Sequence, residues 1–412
     1  MPEHFGTQHN AELALDRAAT NSRRRALQVV FFLLGVSLAS WVVRTPAIRD
    51  ALAASTGQMG LVLFGLSAGS MTGIVSSGLL VRRLGTKPVI AVSTFLAIAG
   101  ISVLGAATAL AMTPLAFTGL LLFGLGMGCS EIAVNIDGAD VERLERRPLM
   151  PLLHGTFSAG TVAGSVLGLA LTRAGVGVVW HLLGVALAAT VAAAMVLPAI
   201  PAGLGVKRGT SKRGFSASVR QQLDVWAQRR IVLIGCVVLG MALAEGAAND
   251  WLPLLMVDEH GYDPTSGSLV YTVFAVAMTT GRLLGTGLVH RFGRTAVVRT
   301  SALCAALGVG LVIFTADPVI AVAGVLLWGL GGSLGFPLAI SAAGDGGGDS
   351  ASRVSAVATA GYLAFLVGPP LLGFLGDHFG LRHAMIVVLV LAGCAAATAS
   401  AVRPQPRREV DL

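Results

Sequence analysis

Leu80-Val81-Arg82-Arg83-Leu84-Gly85 closes a long apolar run, and Leu288-Val289-His290-Arg291-Phe292-Gly293 closes another at a shift of 208 residues, from 80 to 288. The match reaches upstream, where Thr72-Gly73 pairs with Thr280-Gly281 at the same shift. Each copy ends an apolar stretch and begins a short basic turn. A junction repeated at half the chain length reads as two related membrane-embedded halves, and such duplication points to transport.

Composition places the chain in the same setting. Hydrophobic residues make up 54% and charged residues 12% of the 412 positions, with a mean hydropathy of +0.78. About 25% charged residues is usual for a soluble domain. The length suits about twelve spans of ~20 residues each. Apolar runs fall at 27–47, 58–80, 88–108, 113–135, 155–172, 177–199, 231–255, 266–288, 296–315, 318–342, 354–375 and 384–402. The fold expected is an all-α integral membrane protein, with twelve transmembrane helices in two pseudo-symmetric six-helix bundles. The expected organisation is a tail over 1–25, a first bundle over 26–200, a basic linker over 201–230, a second bundle over 231–402 and a tail over 403–412. Residues 1–25 are polar, and the run after Arg23-Arg24-Arg25 lacks a small-residue cleavage site, so the first span is expected to stay.

Lys and Arg give the orientation, because positively charged loops stay cytoplasmic. With both termini inside, 24 of the 29 fall on the cytoplasmic side. Arg44, Arg49, Arg173 and Arg382 then stand at or near the outer side, and Arg282 lies within a span. The net charge of +8 records topology in a bacterial cytoplasmic membrane, and no nucleic-acid partner is expected. The linker, with Lys207, Arg208, Lys212, Arg213, Arg220, Arg229 and Arg230, suits a loop lying against anionic headgroups. Cys129, Cys236, Cys304 and Cys394 fall inside spans without CxxC or Cys/His spacing. They read as small packing residues, and neither a metal nor another cofactor is expected.

Two six-span halves joined by a basic loop resemble the major facilitator superfamily, and the repeated turn resembles its signature Gly-x-Leu-x-Asp-Arg-x-Gly-Arg/Lys-Arg/Lys. Gly78, Leu80, Arg83, Gly85 and Lys87 match in the first copy; Leu288, Arg291, Gly293 and Arg294 match in the second. Arg82 and His290 stand where the signature has aspartate. In the family that acid helps latch the cytoplasmic ends of the halves, so the resemblance implies a latch that is weaker or built differently here. Glycine lets the chain turn sharply between helices, and Arg83 and Arg291 can hold headgroups or helix C-termini. Arg83, Gly85, Arg291 and Gly293 therefore read either as parts of a conformational gate or as topology anchors.

The sharpest chemical signal lies in the fourth span. Gly124, Gly128, Glu131 and Asn135 stand at i, i+4, i+7 and i+11 and so share a helix face. Small residues allow helices to approach, while an ionisable group facing lipid costs several kcal/mol, so this face must look inward. Glu131 there can bind a proton reversibly and couple its movement to substrate. The other reading is a Glu fixed by an Arg or placed near the cytoplasmic boundary, because the run ends shortly after Asn135. Glu131-Ile132-Ala133-Val134-Asn135 resembles the Glu-Thr-Ala-Ala-Asn stretch of the fucose permease group, in which that Glu and its neighbours serve sugar binding and proton coupling. The segments Asn135–Ala139, Val141–Arg143, Arg147–Met150 and His154–Gly160 resemble a subgroup of bacterial permeases that includes the rhizopine transport protein. The acid that the fucose permease resemblance places in the first span is missing, since that stretch reads Trp41-Val42-Val43-Arg44-Thr45-Pro46. Fucose itself is therefore not carried over as the substrate.

Ser37, Trp41 and Arg44 stand at i, i+4 and i+7 in the first span. Trp41 can stack on a sugar ring, and Arg44 can bind hydroxyls or a carboxylate such as that of Glu245; alternatively both sit at the outer boundary. In the seventh span Glu245 and Asn249 repeat the Glu/Asn pairing, followed by Asp250 and Trp251. Asp250 reads as reaching toward the outer surface. Arg282, within the eighth span, calls for an acid partner or a cavity. His154 suits a gate or a local hydrogen bond. Tyr271 and Tyr362 suit sugar contacts or plain packing. Gly368-Pro369-Pro370 is expected to bend or interrupt the eleventh span, and Asp345-Gly346-Gly347-Gly348-Asp349 reads as a loop without the Gly-Lys-Ser/Thr ending of a phosphate cradle.

No nucleotide loop, metal-ligand spacing or nucleophile elbow occurs in a plausible setting, so the chain does not read as an enzyme. The leading expectation is a monomeric proton-linked transporter for a small hydroxylated metabolite, with Glu131 and Glu245 as proton sites and alternating access as the mechanism. Two other classes stay open: an exporter of drugs or a secondary metabolite, and a membrane sensor without turnover.

Overall fold

The computed structural model of the chain describes residues 3–145, 149–206, 225–345 and 350–405. Its helices in chain order are α1 Glu3–Val42, α2 Thr45–Leu52, α3 Thr56–Leu84, α4 Thr86–Leu110, α5 Thr113–Glu145, α6 Met150–Arg173, α7 Val178–Val196, α8 Arg229–His260, α9 Pro264–Phe292, α10 Arg294–Phe314, α11 Pro318–Ala343, α12 Ser350–Phe379, α13 Leu381–Ala384 and α14 Ile386–Thr398. Among the described residues there is no strand. In hydrocarbon every backbone N–H and C=O must be satisfied within the protein, and a helix does so within its own segment. Among the described residues twelve helical segments are long and apolar enough to cross a membrane, which is the all-α, twelve-span class expected.

Most spans coincide with the apolar runs to within a few residues, and the first and fourth differ. Proline lacks a backbone donor, and its ring clashes with the carbonyl four residues back, which for Pro46 is that of Val42. The first helix accordingly stops at Val42, Val43 and Arg44 form a turn, and α2 restarts at Thr45 with Pro46 in its first turn. In the fourth span, α5 runs on to Glu145, well past Asn135. Gly368-Pro369-Pro370 does not interrupt the span, because α12 is helical from Ser350 to Phe379 with both prolines inside it. Lys207, Arg208, Lys212, Arg213 and Arg220 of the linker lie outside the described residues, as do Arg146, Arg147 and Pro148, residues 346–349 and the end of the C-terminal tail.

Helix starts follow local chemistry. Asp263 and Asp317 each accept two backbone N–H bonds at the head of α9 and α11, with Pro264 and Pro318 just inside. Proline costs nothing at that position, because its missing donor would have been unpaired there.

The chain groups into two compact units, one drawn from Met1–Trp41, Gly65–Gly164 and Gly177–Gly209, the other from Val42–Phe64, Ser165–Val176 and Thr210–Leu412. In the first, α3 and α5 touch backbone to backbone: a Cβ on Gly124 would lie 2.1 Å from the Leu66 carbonyl oxygen, and one on Gly69 2.1 Å from that of Leu121. At one end of this unit, Arg23 Nε donates to Asp137 Oδ1 at 2.6 Å and Nη1 to Asp140 at 3.0 Å, while Thr86 Oγ1 donates to Asp137 Oδ2 at 2.6 Å. Asp137 and Thr86 are fully buried, so this charge is tolerated only because both carboxylate oxygens are bonded. In the second unit, α8 is the central element and packs against α9, α11, α12 and α14.

Candidate functional site

In the second unit, α8 aligns Glu245 and Asn249 one helical turn apart, and α9 supplies a partner to each. Arg282 Nη2 donates to Glu245 Oε1 at 2.7 Å, which gives the intramembrane arginine the acid its position requires. The Tyr271 hydroxyl donates to Asn249 Oδ1 at 3.0 Å. Tyr271 stacks on Phe274, with centroids 6.2 Å apart and rings 29° from parallel. Phe274 meets Trp328 of α11 edge-on at 5.9 Å, and Trp328 Nε1 donates to the Ala244 carbonyl at 3.0 Å. An amide, an ion pair and three aromatic rings, one of them a phenol, thus come together from three helices.

The next two positions of α8 are also buried. Asp250 is 6% exposed and has neither a hydrogen-bond nor an ion-pair partner among the described residues. Trp251 is fully buried, and its Nε1 has no hydrogen-bond partner among the described residues. Tyr362 is half-buried on α12.

Arg44 also belongs to the second unit. Its Nη1 donates to Thr172 Oγ1 at 2.6 Å and its Nη2 donates to the Val176 carbonyl, bracing the end of α6 and the turn beyond it. Burial depresses its pKa below the usual arginine range. Because α1 ends at Val42, Arg44 does not continue the helical face of Ser37 and Trp41.

In the first unit, Trp41 is 1% exposed near the end of α1, and its Nε1 has no hydrogen-bond partner among the described residues. Glu131 and Asn135 are half-buried on α5, and the Asn135 Oδ1 atom is buried without a hydrogen-bond partner among the described residues. Gly124 and Gly128, on that helix, abut the α3 backbone. His154 lies against Phe31, with ring centroids 5.5 Å apart. Arg83 and Arg291 are exposed, and the Arg291 guanidinium lies 5.3 Å above the Phe292 ring. Gly85 and Gly293 both turn the chain with positive φ, 88° and 78°.

Residues 25–360 match the Major Facilitator Superfamily. The chain belongs to this superfamily. It is 30% identical to an uncharacterized MFS-type transporter of Yersinia pestis, over 92% of this chain and 96% of that protein. It is 25% identical to the membrane protein MosC of Rhizobium meliloti, over 90% of this chain and 88% of that protein. Among solved structures, the nucleoside transporter NupG superposes with a TM-score of 0.69 at 16% identity, covering 92% of this chain and 98% of that one. A variant of the E. coli fucose:proton symporter FucP superposes with a TM-score of 0.64 at 19% identity, covering 93% and 98%. Both share the fold of this chain.

As a member of this superfamily the protein is a multi-pass membrane transporter and not an enzyme. Three features of the transporter escape sequence reasoning. Asp250 reads from its position as close to the surface, whereas the helix carries it into the bundle. Trp328 sits on a helix with no charged residue between Pro318 and Ala343, so nothing singles it out as a site residue. The Arg23–Asp137–Thr86 network joins three elements that no spacing rule connects.

Proposed function

We propose that the protein is a secondary active transporter that moves a small hydroxylated metabolite, such as a sugar, polyol or inositol derivative, across the bacterial cytoplasmic membrane by alternating access, coupled to protons. The observation that carries this reading is the α8–α9–α11 cluster. Asn249 and Tyr271 would offer an amide and a phenol to hydroxyl pairs, and Trp328, Phe274 and Trp251, fully buried in this state, would present apolar faces to the C–H face of a ring once the site opens. Trp41 and Trp251 hold buried N–H donors, and Asn135 a buried acceptor, with no protein partner among the described residues. Each such atom costs about 1–3 kcal/mol, which a hydroxylated ligand reaching it would remove.

Glu131 and Glu245 are the proton sites of this proposal, and Asp250 joins them as a buried carboxylate without a partner among the described residues. Arg44 and Tyr362 complete the substrate-contacting set, with His154, Arg83, Gly85, Arg291 and Gly293 at the gates. The NupG and FucP structures are those of a nucleoside transporter and a fucose:proton symporter, both for hydroxylated solutes, which supports this class. The bias of Lys and Arg supports cytoplasmic termini.

The test is a thermal-shift screen of the purified protein against sugars, polyols, inositols, nucleosides and organic acids, because a ligand that binds the native state stabilises it. Binders then enter proteoliposome uptake with and without an inward proton gradient. Gradient-driven uptake of a hydroxylated solute is expected. Stabilisation by organic acids alone, accumulation of dyes in inverted vesicles, or binding without flux would each replace this reading.

A further inference from the structure

The turn that closes α3 and α9 has a third copy. Leu375-Gly376-Asp377-His378-Phe379-Gly380 keeps the leucine and the final glycine of Leu80–Gly85 and Leu288–Gly293. Its backbone is the same as well. Gly85, Gly293 and Gly380 have φ of 88°, 78° and 83° with ψ of 168°, 153° and 146°. Each donates its N–H to the carbonyl four residues back, Val81, Val289 and Gly376, at 2.8, 2.9 and 2.9 Å. The charges differ at the third and fourth positions, where Arg82-Arg83 and His290-Arg291 are replaced by Asp377-His378. Counting spans puts the two basic turns on the membrane face of the chain termini and the acidic turn on the opposite face.

Asp377 meets the start of α3. Its Oδ2 lies 3.5 Å from Ser55 Oγ and would lie 3.0 Å from a Cβ on Gly57. Ser55 and Gln58 form a reciprocal capping box, with the Gln58 N–H donating to Ser55 Oγ at 3.2 Å and the Ser55 N–H to Gln58 Oε1 at 2.9 Å. The remaining N–H groups of that first turn carry the positive end of the helix dipole toward the carboxylate. One turn further on, α3 and α12 touch through glycine: a Cβ on Gly60 would lie 2.9 Å from the Pro369 oxygen, and one on Gly373 2.8 Å from Gly60 Cα. On the same membrane face Arg49 of α2 pairs with Asp50 at 2.8 Å and with Asp258 near the end of α8. All of these residues lie within the second unit, yet they come from opposite halves of the chain.

We infer that Asp377, together with the Arg49–Asp258 pair, forms a latch that closes the membrane face opposite the termini during the transport cycle. The acid absent from the two basic turns thus acts from the third. Opening that face must withdraw the carboxylate from the α3 N-terminus, break the ion pair and part Gly60 from Gly373. The inference rests on the alternating-access reading proposed above, but not on the substrate or the coupling ion.

The test uses the full-length chain with its four cysteines replaced by alanine and a single reporter, Met59→Cys, at a position 1% exposed beside the glycine contact. Labelling by a membrane-impermeant maleimide from the face opposite the termini reports opening. Asp377→Asn is expected to raise the labelling rate about two- to fivefold, the factor equivalent to a charge at a helix end. Adding Arg49→Ala should raise it further, while Asp317→Asn, at a helix cap on the same face, leaves it unchanged. Unaltered labelling in both Asp377→Asn and Arg49→Ala overturns the latch even if transport is intact. A changed labelling rate in a protein that moves no hydroxylated solute retains the latch and rejects the substrate.

Discussion

Arg282 and Glu245, from neighbouring spans α9 and α8, form an ion pair of 2.7 Å. The Glu245 side chain is 16% exposed and that of Arg282 35% exposed, so the pair is partly shielded from water and gains little over an apolar pair of the same shape. Removing one partner is different, because the other charge is then left in the span. Glu245→Gln and Arg282→Gln should each lower stability by about 1–3 kcal/mol, below the cost for a fully buried pair. The double variant should recover most of the loss. Thermal unfolding of the four proteins in detergent measures this directly, and strictly additive single effects would show that the pair does not act as a unit.

Proton coupling separates the three acids. Glu245 already has a cation beside it, whereas Asp250 has no partner among the described residues. Glu131→Gln and Asp250→Asn should each abolish proton-driven accumulation while leaving counterflow of substrate at least partly intact. Glu245→Gln should impair both, since it also strands Arg282. Gradient-driven uptake that stays at the parental level in Glu131→Gln or Asp250→Asn removes that residue from the mechanism.

The fold is legible in the sequence because lipid leaves few options: twelve apolar runs of span length must be helices, and their ends are marked by Asp-Pro and Gly. The demand of Arg282 for an acid is legible for the same reason, and the structure supplies Glu245. Periodicity gives a residue's face but not its depth, so Asp250 reads as a surface group, and the face of Ser37 and Trp41 extends on paper to Arg44 across the break before Pro46. The third turn is hidden because it does not recur at the 208-residue shift of the other two. Its acid also masks the likeness to two basic copies. Trp328 gives no signal, since an aromatic residue in an apolar helix reads as core until its neighbours are known.

Glycine at a helix crossing is a geometric requirement that can be checked residue by residue. A Cβ on Gly124 would lie 2.1 Å from a backbone oxygen, so α3 and α5 must move apart to accept it. Gly124→Ala should cost about 1–3 kcal/mol and Gly124→Val more, seen as lost expression and a lowered Tm. Gly287 also lies inside a helix, but a Cβ there meets nothing within 4 Å. Gly287→Ala should be neutral or stabilising, by up to about 0.5–1 kcal/mol. Equal losses at both positions would mean that helix approach is not what fixes Gly124.

Asp263 allows a test by pH. Hydrogen bonds from the Ser266 hydroxyl and backbone N–H hold its carboxyl below the usual carboxylate range, and the Thr265 N–H adds to them. Because the folded pKa lies below that of the unfolded chain, the charged form stabilises α9 at every pH above the unfolded value of about 3.9. The contribution is lost as pH falls through the lower folded value. Asp263→Ala, which removes the cap, should cost about 1 kcal/mol near neutrality. Asp263→Asn keeps a capping oxygen but cannot titrate, so its Tm difference from the parent should stay constant from pH 7 to about 4 and change only below that. A difference that instead grows steadily between about pH 7 and 5 would place the responsible titration on another residue, because an aspartate held below its ordinary range is fully charged throughout that interval.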